Sequence, residues 1–317
     1  MLLCRFFLGF AEAGFYPGVL YHLSFWYPPD RLPLRVAFFY ACGVQEAFQD
    51  GDGYSSLRLP APRFSVIYLY LQSPDPETAN FLTEKERRTV IDHLPDAAPN
   101  MSAKTVNLKE IKALFCDPTW VSFTVLWMTH GIGGWGIQFV LPTVIYELGM
   151  TNTAISQLMS MPPSSCAFAI LVTLGYYIRV GKLNPWAVGI ALEVTSVISY
   201  IILMTVDVTI VKYIFVVIAT ASAACVYPVI WPERIRAARG TTTAGLAIGI
   251  TNASAQLMGI VGPQLYQSKF GPTYRVSFGS SIGLLSGTMM AIGVTWFLVR
   301  KGDRKRALAE ESRSVEG

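Results

Sequence analysis

The first apolar stretch of the chain, CRFFLGFAEAGFYPGVLYHLSFWY, contains two ionisable side chains, Arg5 and Glu12. They are seven residues apart, so in a helix they share one face, about 10 Å from each other along the axis. This is too far for one tight salt bridge, so each requires a partner on another helix or on a bound solute. A charge at bilayer depth costs at least about 2.5 kcal/mol and usually marks function or pairing. Two alternatives stay open: Arg5 can extend to the lipid headgroups, and Glu12 can serve as a structural hydrogen-bond partner or as a proton or substrate site.

A second polar face lies in the later stretch MTHGIGGWGIQFVLPT. His130, Gly134 and Gln138 follow at i, i+4 and i+8, which places them on one side of a helix. A histidine titrates near neutral pH. His130 is therefore a candidate for a transport site, and the alternative is a packed, hydrogen-bonded histidine.

A third polar face runs along GTTTAGLAIGITNASAQLMGIVGP. Its small and amide residues are Gly245, Gly249, Asn252, Gln256 and Gly259. Small residues let helices approach closely and amides form hydrogen bonds between helices. Helix packing explains the glycines, whereas we predict that Asn252 and Gln256 face a water-filled path. Glu193 lies in the middle of another apolar stretch, GIALEVTSVI, and the sequence assigns it no partner.

These residues are carried by helices that must lie in a membrane. Only 15% of the 317 residues are charged and 52% are hydrophobic, against about 25% charged in an average soluble domain; the mean hydropathy is +0.41. A membrane-crossing helix needs roughly 17–25 mainly apolar residues. Seven such stretches occur, at about 1–27, 119–146, 154–178, 185–204, 209–231, 240–263 and 278–299. The sequence therefore predicts an all-α, polytopic membrane protein.

Basic residues predict the orientation of these helices, because Lys and Arg accumulate in cytoplasmic loops. Two loops and the tail hold ten of them: Arg179, Lys182, Arg234, Arg236, Arg239, Arg300, Lys301, Arg304, Lys305 and Arg306. The alternating loops hold three: Lys212, Lys269 and Arg275. We therefore predict that the 300–317 tail is cytoplasmic, together with a central loop at 73–116, in which Thr83 and Glu86 have capping-box spacing.

The region 36–72 departs from this pattern. Its two apolar runs, VAFFYACGV and FSVIYLYLQ, have nine residues each and flank a polar segment rich in Gly and Pro. Neither run is long enough to cross the bilayer. Because both flanks are predicted on the cytoplasmic side, the region contributes zero or two crossings. We predict a damaged helical hairpin.

The sequence contains no pattern that indicates an enzyme. Its three histidines are far apart, and HExxH, nucleophile-elbow and P-loop motifs are absent. The five cysteines show neither metal-binding nor disulfide spacing. We therefore expect no enzymatic activity, no cofactor, no metal site and no nucleic-acid partner.

Several segments resemble the major facilitator superfamily, and in particular its fungal anion:cation symporter branch of allantoate-, pantothenate-, biotin- and nicotinate-permease-like proteins. RFFLGFAEAGFYPGVLYHLSFWY followed by RVAFF is similar to the fourth helix and the start of the fifth, and PDPETANFLTEKER to the end of the sixth helix and the central loop. FVLPTVIYELGMTNTAISQLMSMPP resembles the passage from the seventh to the eighth helix. ERIRAARGTTTAGLAIGITNASAQLMGIVGPQLY and FGPTYR resemble the region from the tenth to the twelfth helix.

The resemblance implies two six-helix halves that rock around a central site. It makes residues 1–72 a remnant of the N-terminal half and 117–299 the C-terminal six-helix half. Around the central site it favours Arg5, Glu12, His130, Gln138 and Tyr227, with Asn252 and Gln256 flanking the path. It further implies transport of small organic anions, such as carboxylates, with Arg5 meeting the anion and Glu12 carrying a proton.

The sequence also departs from that family. Counterparts of its first three helices are missing from this chain, and the acidic residue that usually follows the eighth helix is absent from YYIRVGKLNP. Alternating access requires both halves. We therefore expect a proton-coupled carrier of organic anions in the plasma membrane, with lipid, the anion and protons as its partners. The alternative is an inactive membrane fragment, or a chain that functions only with a second polypeptide.

Overall fold

The computed structural model describes a subset of the chain, and within it all regular structure is helical. The described residues are 14–27, 32, 35–36, 83–92, 108–147, 155–156, 159–238, 241–256, 258–271 and 273–316. The predictions for Arg5, Glu12 and the hairpin in 37–72 lie outside these residues.

The helices follow in a simple order. We number them α1 (Phe15–Trp26), α2 (Glu84–Asp92), α3 (Leu108–Cys116), α4 (Pro118–His130), α5 (Leu141–Glu147), α6 (Met161–Arg179), α7 (Pro185–Thr205), α8 (Thr209–Ala237), α9 (Thr241–Ala255), α10 (Met258–Leu265) and α11 (Arg275–Glu316). A π-helical turn, Gly131–Trp135, and a 3₁₀ segment, Gly136–Val140, join α4 to α5. A second 3₁₀ turn, Ser268–Phe270, precedes α11.

The structure confirms an all-α, polytopic membrane protein. Five helical stretches of the described part are long and apolar enough to cross a membrane: Met161–Arg179, Pro185–Thr205, Thr209–Ala237, Thr242–Leu265 and Arg275–Leu308. Seven were predicted. The predicted span at 119–146 is instead broken into the four segments from α4 to α5, and the first stretch is described only from residue 14.

Several helix boundaries differ from the predicted ones. Helix α8 continues past residue 231 to Ala237 with Pro228 and Pro232 inside it, and α11 continues through the predicted tail to Glu316. The predicted span 240–263 is divided between α9 and α10. Hydropathy marks where residues turn polar, but a helix can continue beyond the apolar stretch into its polar flank.

Two helices begin at the same local sequence signal. The Asp117 side chain accepts a hydrogen bond from the Thr119 N–H at 2.9 Å, with Pro118 as the first helical residue. Asn184 does the same for the Trp186 N–H at 2.9 Å. An Asp or Asn cap satisfies a free N–H of the first turn, and a proline loses nothing at that position. The DPT and NPW triplets therefore fix where α4 and α7 start.

Helix α7 is polar on its inner face and apolar on its outer face. It buries Glu193 and Ser196 and exposes large apolar side chains, among them Ile198 at 49% and Ile201 at 46%. In water this arrangement would be unfavourable, whereas lipid favours it because polar groups then find partners inside the bundle. Helix α8 is the most buried of the five spans and packs against both α6 and α7.

The predicted capping box in the central loop is confirmed. Glu86 accepts hydrogen bonds from the Thr83 hydroxyl at 2.7 Å and from the Thr83 backbone N–H at 3.0 Å, at the start of α2. These bonds stabilise the carboxylate and lower the pKa of Glu86 below its ordinary value.

A cluster of charges, which we call the Glu233 cluster, joins three helices at one end of the bundle. Glu233 on α8 accepts hydrogen bonds from the Trp186 indole of α7 at 3.1 Å and from the Arg236 guanidinium at 2.8 Å. Arg236 also reaches Asp303 on α11 at 3.0 Å. Because Asp303 lies beyond the apolar part of α11, this cluster holds the helical extension of α11 against the bundle.

We predict that Arg236→Gln lowers the stability of the protein by about 1 kcal/mol or less, because a partly exposed pair contributes little. The measurement is thermal unfolding in detergent. The control is Lys301→Gln, which removes one positive charge from the part of α11 that contains Asp303. Equal unfolding temperatures for both variants would show that the Glu233 cluster contributes nothing.

Candidate functional site

The site lies at the end of α4, inside the predicted span at 119–146, where the α-helix gives way to a π-helical turn. Helix α4 ends at His130, and the next five residues, GIGGW, form a π-helical turn. Glycine has low helix propensity, and π-helical turns are frequent at functional sites. At about 1.5 Å per residue, His130 lies roughly 18 Å along the axis from the start of α4, which is comparable to half the thickness of a typical bilayer.

His130 forms a buried pair with Glu193, which we call the His130–Glu193 dyad. The His130 Nδ1 and the Glu193 Oε1 are 2.5 Å apart, and neither side chain is exposed. The His130 Nε2 lies 3.1 Å from the backbone carbonyl oxygen of Ala223 on α8. The dyad therefore links α4, α7 and α8.

The two contacts of His130 define which atoms carry protons. A carbonyl oxygen only accepts, so the Nε2 donates to Ala223 and carries a proton. The short contact between Nδ1 and Oε1 then requires one more proton between them, either on the imidazole or on the carboxyl group. The second carboxyl oxygen of Glu193, Oε2, is buried and has no hydrogen-bond partner among the described residues.

Aromatic rings enclose the dyad on the α8 side. The Tyr227 ring lies edge-on to the His130 ring, with centroids 4.6 Å apart, and stacks on Trp127 at 5.4 Å and on Trp135 at 6.1 Å. The Tyr227 hydroxyl donates to the Trp127 carbonyl oxygen at 2.6 Å. Helices α4 and α8 are thus joined twice, by Tyr227 and by His130, and the rings keep the histidine in one orientation.

Two glycines, Gly134 and Gly262, make this packing possible because they have no Cβ. A Cβ added to Gly134 would lie 2.9 Å from the His130 ring, and one added to Gly262 would lie 2.7 Å from the Cα of Gly136. The second contact is between two backbones, so neither can retreat by changing a rotamer. The 3₁₀ segment after the π turn is therefore pressed directly against α10.

The structure places the other predicted residues in different surroundings. Gln138 is half-buried in the 3₁₀ segment and is not a hydrogen-bond partner of the dyad. Asn252 is buried on α9, and Gln256 is exposed where α9 ends. Among the described residues, nothing lies within 4 Å of a Cβ added to Gly249. The predicted roles of these residues therefore stay predictions.

Arg234 was counted as a loop residue in the sequence, but it lies inside α8 and is only 1% exposed. Its Nε donates to the Thr251 hydroxyl at 3.0 Å, and its guanidinium lies 4.7 Å from the centre of the Phe123 ring. The apolar run ends at Trp231 while the helix continues, so hydropathy alone misplaced this residue.

Glu193 is the residue that sequence reasoning left without a role. A signal was present: His130 and Glu193 lie in the middle of the apolar stretches predicted at 119–146 and 185–204, whereas the other charged residues of 117–299 lie near the ends of such stretches or between them. Isolated charges at bilayer depth pair with one another, so the dyad was open to prediction.

The fold and the buried dyad define a helical membrane protein with a titratable centre. A family model described as the Major Facilitator Superfamily matches residues 64–263, and the chain belongs to this superfamily.

Relatives with assigned names are transporters. The MFS-type transporter cnsO of Penicillium expansum is 24% identical over 95% of this chain and 64% of its own length. A putative tartrate transporter of Agrobacterium vitis is 24% identical over 82% of this chain and 63% of its own. The putative metabolite transport protein NicT of Pseudomonas putida is 26% identical over 81% and 64%. The chain thus spans less than two thirds of the length of these relatives.

We predict that Gly262→Ala destabilises the protein by about 1–3 kcal/mol, because the added methyl group forces two backbones apart. Gly283→Ala on α11 is the matched control, since a Cβ there meets nothing within 4 Å among the described residues. Alanine is favoured over glycine in a helix by roughly 0.5–1 kcal/mol, so the control is expected to be neutral or stabilising. Thermal unfolding of both variants in detergent measures the difference, and equal stability would contradict the close contact.

Proposed function

We propose that the protein takes part in the transport of small organic anions across a membrane, coupled to protons. The observation that carries this proposal is the His130–Glu193 dyad, an ionisable pair inside the bundle with no exposed surface. Burying such a pair is costly, and apolar residues of similar size would pack at least as well. A proton-dependent function gives a reason for it.

Membership of the Major Facilitator Superfamily supports transport as the activity. The choice of an organic anion is supported by the similarity to relatives named as putative tartrate transporters. A carboxylate substrate requires a positive partner, for which Arg5 is the proposed residue, with Glu12 as a proton carrier on the same helix face. His130, Gln138 and Tyr227 would contribute from the C-terminal half, with Asn252 and Gln256 beside the path.

The proposed location is the plasma membrane, with the carboxyl terminus in the cytoplasm. The distribution of Lys and Arg supports this orientation. The resemblance to the fungal anion:cation symporter branch supports symport. Transport by alternating access uses two repeats that move against each other. The alternative is a chain that is inactive alone or needs a partner chain. The observation that favours it is that the matched part spans only 60–64% of the length of several relatives.

The test is uptake of radiolabelled tartrate by cells that express the chain, compared with cells that carry an empty vector. We expect uptake that increases as the external pH falls. Arg5→Gln should abolish uptake because the anion loses its positive partner, while Lys212→Gln, in the first turn of α8, should leave it unchanged.

Glu12→Gln should remove the pH dependence if this carboxylate carries the proton. Unchanged uptake and pH dependence in this variant would eliminate Glu12 as the carrier. Absence of tartrate uptake by the chain, when the chain is shown to be in the membrane, would contradict its transport of this anion when expressed alone.

A further inference from the structure

We infer that the His130–Glu193 dyad is a proton-binding site which takes up and releases one proton, and that release of this proton opens the contact between α4 and α7 at the dyad. This inference rests on the proposed function and names a site in the C-terminal half where proton binding is converted into movement. It is carried by the geometry of the dyad and by the second Glu193 carboxyl oxygen, which has no hydrogen-bond partner in the part of the chain that the structure describes.

The number of protons follows from the hydrogen bonds. The Ala223 carbonyl keeps one proton on the His130 Nε2, so the neutral imidazole presents a lone pair at Nδ1. At 2.5 Å from Glu193 Oε1, that lone pair faces an oxygen that needs a proton to bond with it. The bound state therefore contains one shared proton, as imidazolium with carboxylate or as imidazole with carboxylic acid, and both forms have zero net charge.

Release changes this balance. The bond between the shared proton and Nδ1 or Oε1 breaks, the proton passes to water, and the dyad is left with a net charge of −1. Two lone pairs then face each other without a proton between them, in a place where a charge is poorly solvated. The side chains must separate or admit water, which removes the contact that the dyad makes between α4 and α7. The ring contact between Phe123 and Trp186, closer to the start of both helices, is not part of the dyad.

The described groups next to the dyad do not donate a hydrogen bond to it in place of the released proton. On α8 the neighbour is Tyr227, whose hydroxyl bonds to a backbone carbonyl. On α7 it is Tyr200, which interacts electrostatically with Glu193 and with Tyr266. The π turn, GIGGW, has no titratable side chain, and α11 contributes the Thr288 hydroxyl, bonded to Thr129.

In the part of the chain that the structure describes, charged side chains of the surrounding helices lie towards helix ends, in loops or in the polar extension of α11. They include Asp117, Glu147, Arg179, Lys182, Asp207, Lys212, Glu233, Arg234, Arg236, Lys269, Arg275 and the charged residues at 300–306. None of these described cations forms an ion pair with Glu193, whose one ion-pair partner among the described residues is His130.

A movement of the His130 ring acts directly on the π turn that follows α4. His130 is the last residue of α4 before the π turn, and its ring touches the position of Gly134 inside that turn. The turn in turn leads to the backbone contact between Gly136 and Gly262. When the ring shifts, the winding of residues 131–136 and their contact with α10 are free to change.

The first test measures the proton directly on the purified chain in detergent, without substrate. His22→Gln and His93→Gln leave His130 as the single histidine, and its ring is labelled with ¹⁵N and followed by NMR during a pH titration. We expect Nε2 to stay protonated and the Nδ1 resonance to report one step, either as protonation of the ring or as loss of the hydrogen bond from the Glu193 carboxyl group. Glu193→Gln should abolish or displace this step. An Nδ1 resonance that does not change with pH, or that changes identically with Gln at residue 193, overturns the inference.

The second test measures the separation of the helices by amide hydrogen exchange in residues 131–136. Glu193→Gln keeps the shape and donates a hydrogen bond to Nδ1, so it mimics the protonated dyad at every pH. At high pH we expect about tenfold faster exchange in the original chain than in this variant, and equal rates at low pH. Comparison at the same pH cancels the intrinsic pH dependence of exchange.

Glu147→Gln is the matched control, since Glu147 also accepts a short hydrogen bond, from Tyr274, but lies at the end of α5. It should exchange like the original chain at residues 131–136, and Glu193→Asp should retain the pH dependence. Equal exchange in the original chain and Glu193→Gln at every pH overturns the coupling to movement. Because neither test uses substrate, a negative tartrate experiment leaves their outcome intact and bears only on the proposed function.

Discussion

The constraint on which the structure depends is that an imidazole and a carboxyl group are enclosed in a bundle surrounded by lipid. Neither His130 nor Glu193 has any exposed surface. Each is a hydrogen-bond partner of the other, and His130 also donates to the Ala223 carbonyl. Removing one partner leaves an uncompensated polar group, which costs more than the pair itself provides. One pair of side chains thereby joins three helices, α4, α7 and α8.

Other features of the C-terminal half are consistent with this constraint. Helix α7 turns its polar residues inward and its large apolar residues outward. Helix α8 contributes both the carbonyl that fixes the histidine and the tyrosine that covers it. The glycines after His130 permit the π turn and the contact with Gly262. The same segment is therefore tightly packed and irregular, a combination suited to switching between two arrangements.

Much of the architecture was predictable because hydropathy reports directly on burial in lipid. The fold class and the approximate spans at 185–204, 209–231 and 278–299 are confirmed, as is the Thr83–Glu86 capping box. The broken span at 119–146 was not predicted, since GIGGWG is as apolar as a regular helix would be. The extension of α8 past Trp231 was missed because the residues there are polar, and hydropathy ends the predicted span where the helix continues.

The site was predicted only in part. His130 was singled out by its type and depth, but the partner was not, because periodicity orders residues on one helix and says nothing of which helices meet. Glu193 is 63 residues away in the chain, and the link between them is a property of packing. Tyr227 entered only through family resemblance, and its contact with the His130 ring is again a contact between helices.

The most direct test of the central claim is a double-mutant cycle on stability with His130→Phe, Glu193→Leu and the combined variant. If the two side chains satisfy each other, each single change strands a buried polar group, while the combined change removes both. We predict that the combined variant is more stable than the sum of the single effects implies, by about 1–3 kcal/mol. Single effects that simply add would show that His130 and Glu193 do not interact in the folded protein, and would contradict the account.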